Sequence, residues 1–337
     1  MGASLEKKNS RLGWLDFGKA MGILVVLMVH AECRLGLCTF YGGMFYMPIF
    51  FVSAGYTYRR REGEAFGTFL KKKARRLLLP YMGTSAFLWL FFWVKDSVLA
   101  GNPMDLKYHT LSGILYSRNQ MYAMGYMGEN PVLMDVLNAP LWFLTAMFLT
   151  YVYYELICRS GKKYPLLFVG LAVSVLWHWN TELLLPWSLD AVPYFACFMA
   201  AGELLRKRGG IQLLTEQKQW LLPVLAVFLL SAHWNGSVNL SCGFYGKSML
   251  VYLAAGITGS VLVFAAGAAV EKICPSVIRV LGWIGQETLP ILCFHMFLFM
   301  FIRTGAGILG LGTGMTQILL VVGCTVLLTG IGKMKDH

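Results

Sequence analysis

Apolar residues along this chain come in runs long enough for a membrane helix, separated by short breaks rich in Lys, Arg, Gly or Pro. The first runs from about residue 12 to 31, and others follow near 40–58, 78–94, 139–157, 164–178, 189–205, 219–233, 247–270, 287–303 and 308–332. At 1.5 Å per residue, twenty helical residues reach about 30 Å, the thickness of a hydrocarbon core. The pattern predicts an all-α polytopic membrane protein with about ten transmembrane helices in one bundle. Its spans run from about 12 to 332 and form a single integral-membrane domain over residues 1–337. Internal repeats and low-complexity segments are not evident.

The first run, RLGWLDFGKAMGILVVLMVHAE, breaks the pattern by carrying Asp16, Lys19 and His30. Lys19 and His30 are eleven residues apart, about three helical turns, so they share one face roughly 16 Å apart, with Asp16 about 40° off the same line. Ionisable groups at membrane depth are costly unless they face a bundle interior or a wet cavity, which gives this face a polar lining role. The alternative is a plain i, i+3 pair of Asp16 with Lys19, snorkelling to the surface, and a His30 that is only a hydrogen-bonded polar residue at a helix end.

Composition agrees with the pattern and adds orientation. Over 337 residues the chain is 57% hydrophobic and 14% charged, outside the range of soluble globular domains. A net charge of +12 raises nucleic acid as a partner, but the basic residues punctuate apolar runs, as topology signals do, so no nucleic-acid partner is expected. Counted loop by loop, 22 of the 29 Lys and Arg residues fall on the side of the N-terminus and 6 on the other, with Lys19 inside the first span. By the positive-inside rule both termini are cytoplasmic in a multi-pass protein of the plasma or inner membrane, and His30 lies toward the outer side. The N-terminus lacks an A-x-A cleavage site and reads as leading into an uncleaved span. Eight scattered cysteines show no metal-ligand spacing, so no metal is expected; Cys33 and Cys38 share one short loop and can bridge if it is extracellular.

Two loops carry further chemistry. The outer one, Lys95 to Asn138, is the longest and includes YSRNQMYAMGYMGENP, a surface that either receives a ligand or caps the bundle passively. The inner one, RRREGEAFGTFLKKKARRLLLPY, is the densest basic cluster. It reads either as topology and attraction to anionic lipid, or as a site for a cytoplasmic polyanion, with Arg75 and Arg76 at a helix start before Pro80. No Walker A loop, dinucleotide fingerprint, HExxH or GxSxG is present.

Taken in order, RLGWLDFGKAMGILVVLMVH, MPIFFVSAGYTY, FLKKKARRLLLPY, PLWFLTAMF and LGWIGQETLPILCFH form a series that resembles the acyltransferase type 3 family of membrane O-acyltransferases. The likeness extends to NGSVNLSCGFYGKSMLVYLAAGITGS and so covers nearly the whole chain. It implies about ten helices and transfer of acyl groups, usually acetyl from acetyl-CoA, to hydroxyls of extracytoplasmic carbohydrates or lipid-linked glycans. The family's first-span signature, a basic residue followed by a histidine after ten positions, falls on Lys19 and His30; lysine replaces the usual arginine and loses its planar fork. The resemblance makes His30 the catalytic candidate and Arg75 and Arg76 candidates for the CoA phosphates. It places Phe51, Ser53, Gly55, Trp142 and Phe143 around the site and matches His295 to the histidine near the end of the family pattern.

The mechanism these readings imply has neutral His30 taking the proton of an acceptor hydroxyl as it attacks the thioester, with a covalent acyl-histidine as the other route. Lys19, three turns away, holds the acyl-CoA or pairs with Asp16. Expected partners are acyl-CoA, the glycan acceptor and the lipid bilayer; a homo-oligomer is compatible with the sequence. A transporter or flippase of an anionic or glycan substrate is the competing class, since polar groups at membrane depth and a basic mouth also describe a transport path. A lipid-anchored scaffold explains the basic loops but not the histidine.

Overall fold

The computed structural model describes residues 11–99, 111–123 and 139–334. Lys7, Lys8, Lys107, Lys335 and most of the outer loop from Lys95 to Asn138 lie outside the described residues.

Helix α1 (Gly13–His30) opens the bundle. Helices α2 (Leu37–Phe45) and α3 (Pro48–Thr57) make one apolar traverse broken before Pro48, whose missing N–H cannot continue the α2 ladder. Helix α4 (Phe66–Trp93) runs through Pro80 into a π-helical turn at Val94–Leu99, and the short α5 (Leu111–Tyr116) follows. Next come α6 (Trp142–Arg159), α7 (Lys163–Asn180) and α8 (Val192–Lys207). Then α9 (Gly210–Glu216), α10 (Leu221–Asn235), α11 (Met249–Ile273) and α12 (Pro275–Gln286). The chain closes with α13 (Thr288–Ile308), α14 (Thr313–Ile318) and, after a π turn, α15 (Cys324–Met334). Among the described residues there is no β-strand.

The chain is thus an all-α polytopic membrane protein, and each of the ten apolar stretches lies on a helix. Among the described residues seven helical segments are long and apolar enough to cross a bilayer, or eight if α9 and α10, bent by 108° at their junction, count as one broken span. Helix α7 carries Lys163 at one end and His178 and Asn180 at the other, and α8 has only 16 residues, so both fall below the rest in length or apolarity. Large apolar side chains such as Leu79, Phe168, Leu222 and Leu230 stand exposed on the outside, as a lipid-facing surface requires.

Three departures from the sequence reading matter for the site. The basic stretch from 59 to 76 is a loop only as far as Ala65; from Phe66 it is the first turns of α4, because FLKKKARRLLL is built of good helix formers. Arg75 and Arg76 therefore sit well inside a helix and not at its start. Residues 275–286, read as a connection, form α12, whose Ile278, Gly282 and Gly285 pack on α1 while Val277, Val280 and Trp283 face outward. Helix α3 meets α8 through Gly55 and Gly202, where a Cβ would collide with the backbone of Met199 and of Val52 respectively, so Gly55 serves close helix packing.

Candidate functional site

Helices α1, α3, α4, α6 and α13 surround a cleft of about 300 Å³. Lys19, Thr57, Arg76 and Tyr151 give it polar walls, while Ile23, Phe50, Phe143 and Leu292 make it apolar elsewhere. Ser53 also lines it, and its buried hydroxyl has no hydrogen-bond partner. A buried polar group without a partner is costly, and a group bound in the cleft can supply one to Ser53.

The charged residues of the basic end divide into paired and unpaired. Glu155 accepts from Tyr58 Oη at 2.5 Å and Arg159 Nε at 2.7 Å. Glu203 takes Tyr154 Oη at 2.6 Å, Lys163 Nζ at 2.5 Å and Lys207 Nζ at 2.6 Å. In the loop before α4, the hydrogen bond from Lys72 holds the Glu64 carboxyl below its usual range. These cations are committed to carboxylates. Arg75 and Arg76 have no protein partner among the described residues, and one helical step separates their directions: Arg76 lines the cleft and Arg75 does not.

Lys19 is both paired with Asp16 and placed on the cleft wall. Its Nζ lies 2.5 Å from Asp16 Oδ1, and its side chain also lines the cleft. Asp16 is buried, accepts from Gln286 Nε2 at 3.4 Å, and packs its backbone on Gly285 of α12, so it ties α1 and α12 together while orienting Lys19.

Beyond the apolar part of the cleft stand the two histidines. His30 Nδ1 lies 2.7 Å from His295 Nε2, with the rings within 10° of parallel. His295, fully buried, has Nδ1 2.8 Å from Ile291 O and 3.1 Å from Leu292 O. A carbonyl can only accept, so in the neutral ring Nδ1 of His295 carries the hydrogen and Nε2 is a lone pair. That lone pair requires His30 to donate from Nδ1, which leaves His30 Nε2 as a free lone pair, with no partner among the described residues. The chain Ile291 O, His295, His30 thus fixes both tautomers and points the basic nitrogen of His30 away from its support. Arg303 Nη2 donates to His30 O at 3.2 Å and steadies the end of α1.

The histidines do not line the cleft. Its last lining residues on α1 and α13 are Ile23 and Leu292, seven and three residues short of His30 and His295, about 10 and 4.5 Å of helix rise. Phe51 and Trp142 also sit behind its wall: Phe51 stacks on Phe195 with centroids 4.7 Å apart, and Trp142 meets Phe143 edge-on at 6.2 Å. Cys33 and Cys38 are both free. Sequence reasoning missed Thr57, Tyr151 and Arg303. Of these, Arg303 carried a usable signal, a lone arginine late in an apolar helix.

A family model described as an acyltransferase domain matches residues 12–332. No curated protein and no solved structure matches the chain.

Proposed function

The chain belongs to the acyltransferase family whose domain covers residues 12–332, and from that premise we propose that it moves an acyl group from cytoplasmic acyl-CoA to a hydroxyl of an extracytoplasmic carbohydrate or lipid-linked glycan. Acetyl is the acyl group in the simplest case. The whole chain acts as one membrane domain, with both termini cytoplasmic in the plasma or inner membrane, a reading supported by the 22 to 6 partition of basic residues.

The observation that carries the proposal is the oriented histidine pair. His30 Nε2 takes the proton from the acceptor hydroxyl as its oxygen attacks the thioester carbonyl. The tetrahedral intermediate collapses, the C–S bond breaks, and the proton on His30 passes to the departing thiolate, giving the ester and free CoA. His295 touches no reacting atom; it is a positioning residue that keeps His30 Nδ1 protonated and Nε2 available.

Donor binding falls to the cleft. Arg76 and Lys19 at its polar end suit the phosphates of CoA, with Arg75 an outer contact on the same helix. Ser53 and Thr57 offer hydroxyls to the amides of the pantetheine arm, and the apolar walls lead the thioester toward the histidines. The three-turn span from Lys19 to His30, roughly 16 Å, is of the length such an arm covers.

Acetyl-CoA turnover by the detergent-solubilised protein with candidate sugars tests the reading. An acyltransferase releases CoA and forms acetylated sugar in proportion, whereas a carrier of anions or glycans leaves acetyl-CoA untouched.

A further inference from the structure

A second pocket, about 290 Å³, opens at the far end of α1 and α13. Ala31 and Glu32, the two residues after His30, form one wall; Arg303 and Gly307 of α13 form another, and Thr313, Thr316 and Gln317 of α14 close it. Glu32 adopts a left-handed backbone, φ 58°, uncommon for a residue with a side chain. It is held there from two sides: Arg303 Nη2 meets its Oε1 at 3.2 Å and Gln317 Nε2 donates to its carbonyl at 2.9 Å. The same Arg303 nitrogen bonds His30 O at 3.2 Å, so this pocket and the candidate base share one guanidinium.

We propose that this pocket binds the acceptor, and that its occupant is a single uncharged, hydroxyl-rich ring, one sugar residue next to the hydroxyl being acylated. The inference rests on the acyl-transfer reading above and adds where the acceptor sits and what its chemistry must be. The lining sums to no net charge, because Arg303 is already paired with Glu32. An anionic ligand would meet the Glu32 carboxylate and a cationic one the guanidinium, while a hydroxyl can donate to the first and accept from the second. The Thr313 hydroxyl and the Gln317 carbonyl have no partner among the described residues and extend the same mixed donor and acceptor set. At this volume, the low end of ligand-pocket sizes, one ring fits and a folded glycan does not. The pocket also lies on the opposite side of the histidines from the Lys19 and Arg76 cleft, so donor and acceptor approach His30 from opposite ends.

Gly307 makes the proposal testable, because it lines the pocket and a Cβ there meets nothing within 4 Å, so larger side chains can be placed at the pocket wall without disturbing the fold. The full-length protein in lipid nanodiscs is assayed with radiolabelled acetyl-CoA and a panel of methyl hexosides. Substituting Gly307→Ala, Gly307→Leu and Gly307→Phe is expected to raise the KM for the accepted hexoside in that order, by about tenfold or more for phenylalanine, with the acetyl-CoA KM within about twofold of wild type. Thr313→Val, which removes one hydroxyl at constant volume, is expected to raise the same KM about 3- to 10-fold. An unchanged hexoside KM in both Gly307→Phe and Thr313→Val overturns the pocket assignment. No transfer to any hexoside, with His30-dependent hydrolysis of acetyl-CoA still present, overturns the sugar assignment and leaves the acyl-transfer reading standing. Loss of all His30-dependent acetyl-CoA turnover in the otherwise wild-type protein sinks that reading itself.

Discussion

Two polar clusters lie toward the less basic end of the bundle, and they are built in opposite ways. In one, Arg118 Nη2 reaches both carboxylate oxygens of Asp190 at 2.7 and 2.6 Å, with no exposed side-chain surface on either residue. Arg118 Nε donates to Leu185 O at 3.2 Å, the Leu185 N–H returns to Asp190 Oδ1 at 2.9 Å, and His178 Nε2 sits 3.1 Å from Asp190 Oδ2. The backbone around it is contorted, with positive φ at Ser117, Trp187 and Ser188. In the other, two histidines share one hydrogen bond, carry no matching charge, and leave a lone pair of His30 without a partner among the described residues, at a level of α1 and α13 between two pockets that neither ring lines. The first cluster is matched in charge and wholly buried, with Arg118 Nη1 and Ser188 Oγ left without a hydrogen-bond partner among the described residues, and it fastens irregular backbone through the Arg118 and Asp190 contacts. The second leaves one ring nitrogen of His30 uncommitted. Burial alone does not separate structure from chemistry; here the two clusters differ in that one matches charge against charge and the other keeps an uncommitted proton-accepting nitrogen.

The contrast can be broken at several points. Removing one partner of the sealed pair should cost most in stability: Arg118→Leu strands Asp190 and is expected to destabilise the fold by about 3 to 5 kcal/mol, read as a large drop in the thermal midpoint of the detergent-solubilised protein. A midpoint within about 2 °C of wild type would show that the pair fastens nothing. At the open pair the expectation reverses. His295→Leu should lower the transfer rate about 10- to 100-fold with a much smaller stability change, because His30 loses the acceptor that fixes its tautomer. His295→Gln, whose carbonyl can accept from His30 Nδ1, should restore part of the rate. Equal loss in both variants, with equal loss of thermal stability, would make His295 a packing residue.

A smaller effect sharpens the donor side. Arg76→Ala is expected to raise the acyl-CoA KM about 5- to 10-fold, and Arg75→Ala by about half of that or less, since only Arg76 lines the cleft. The reverse order would move the phosphate site out of the cleft and onto the outer face of α4.

Much of this architecture was legible because lipid leaves the chain few options. Long apolar runs must be helices, and the ten stretches are all helical. His30 stood out as a candidate for the same reason, since an ionisable residue at the end of such a run needs a cause. What stayed hidden depended on tertiary partners. Arg75 and Arg76 look equivalent at a helix start and diverge once α4 extends back to Phe66. Helix α12 is too short to read as a span, and its role appears only where Gly285 meets Asp16. Gly55, assigned to the site's surroundings by resemblance, turns out to be spent on the α3 to α8 contact, while its neighbours Ser53, Ala54 and Thr57 reach the cleft. The pairing of His30 with His295 spans 265 positions of sequence, which no local pattern encodes.

The central claim is that the free nitrogen of His30 accepts the acceptor's proton, and the most direct measurement is acetyl transfer by the purified His30→Gln protein. Glutamine has similar reach and can keep a hydrogen bond to His295 Nε2 through its amide N–H, but it cannot take up a proton near neutral pH. The account expects a folded, membrane-inserted protein with near wild-type thermal stability and acetyl-CoA binding, and a transfer rate lower by about 10² to 10⁴. Transfer at close to the wild-type rate would contradict it.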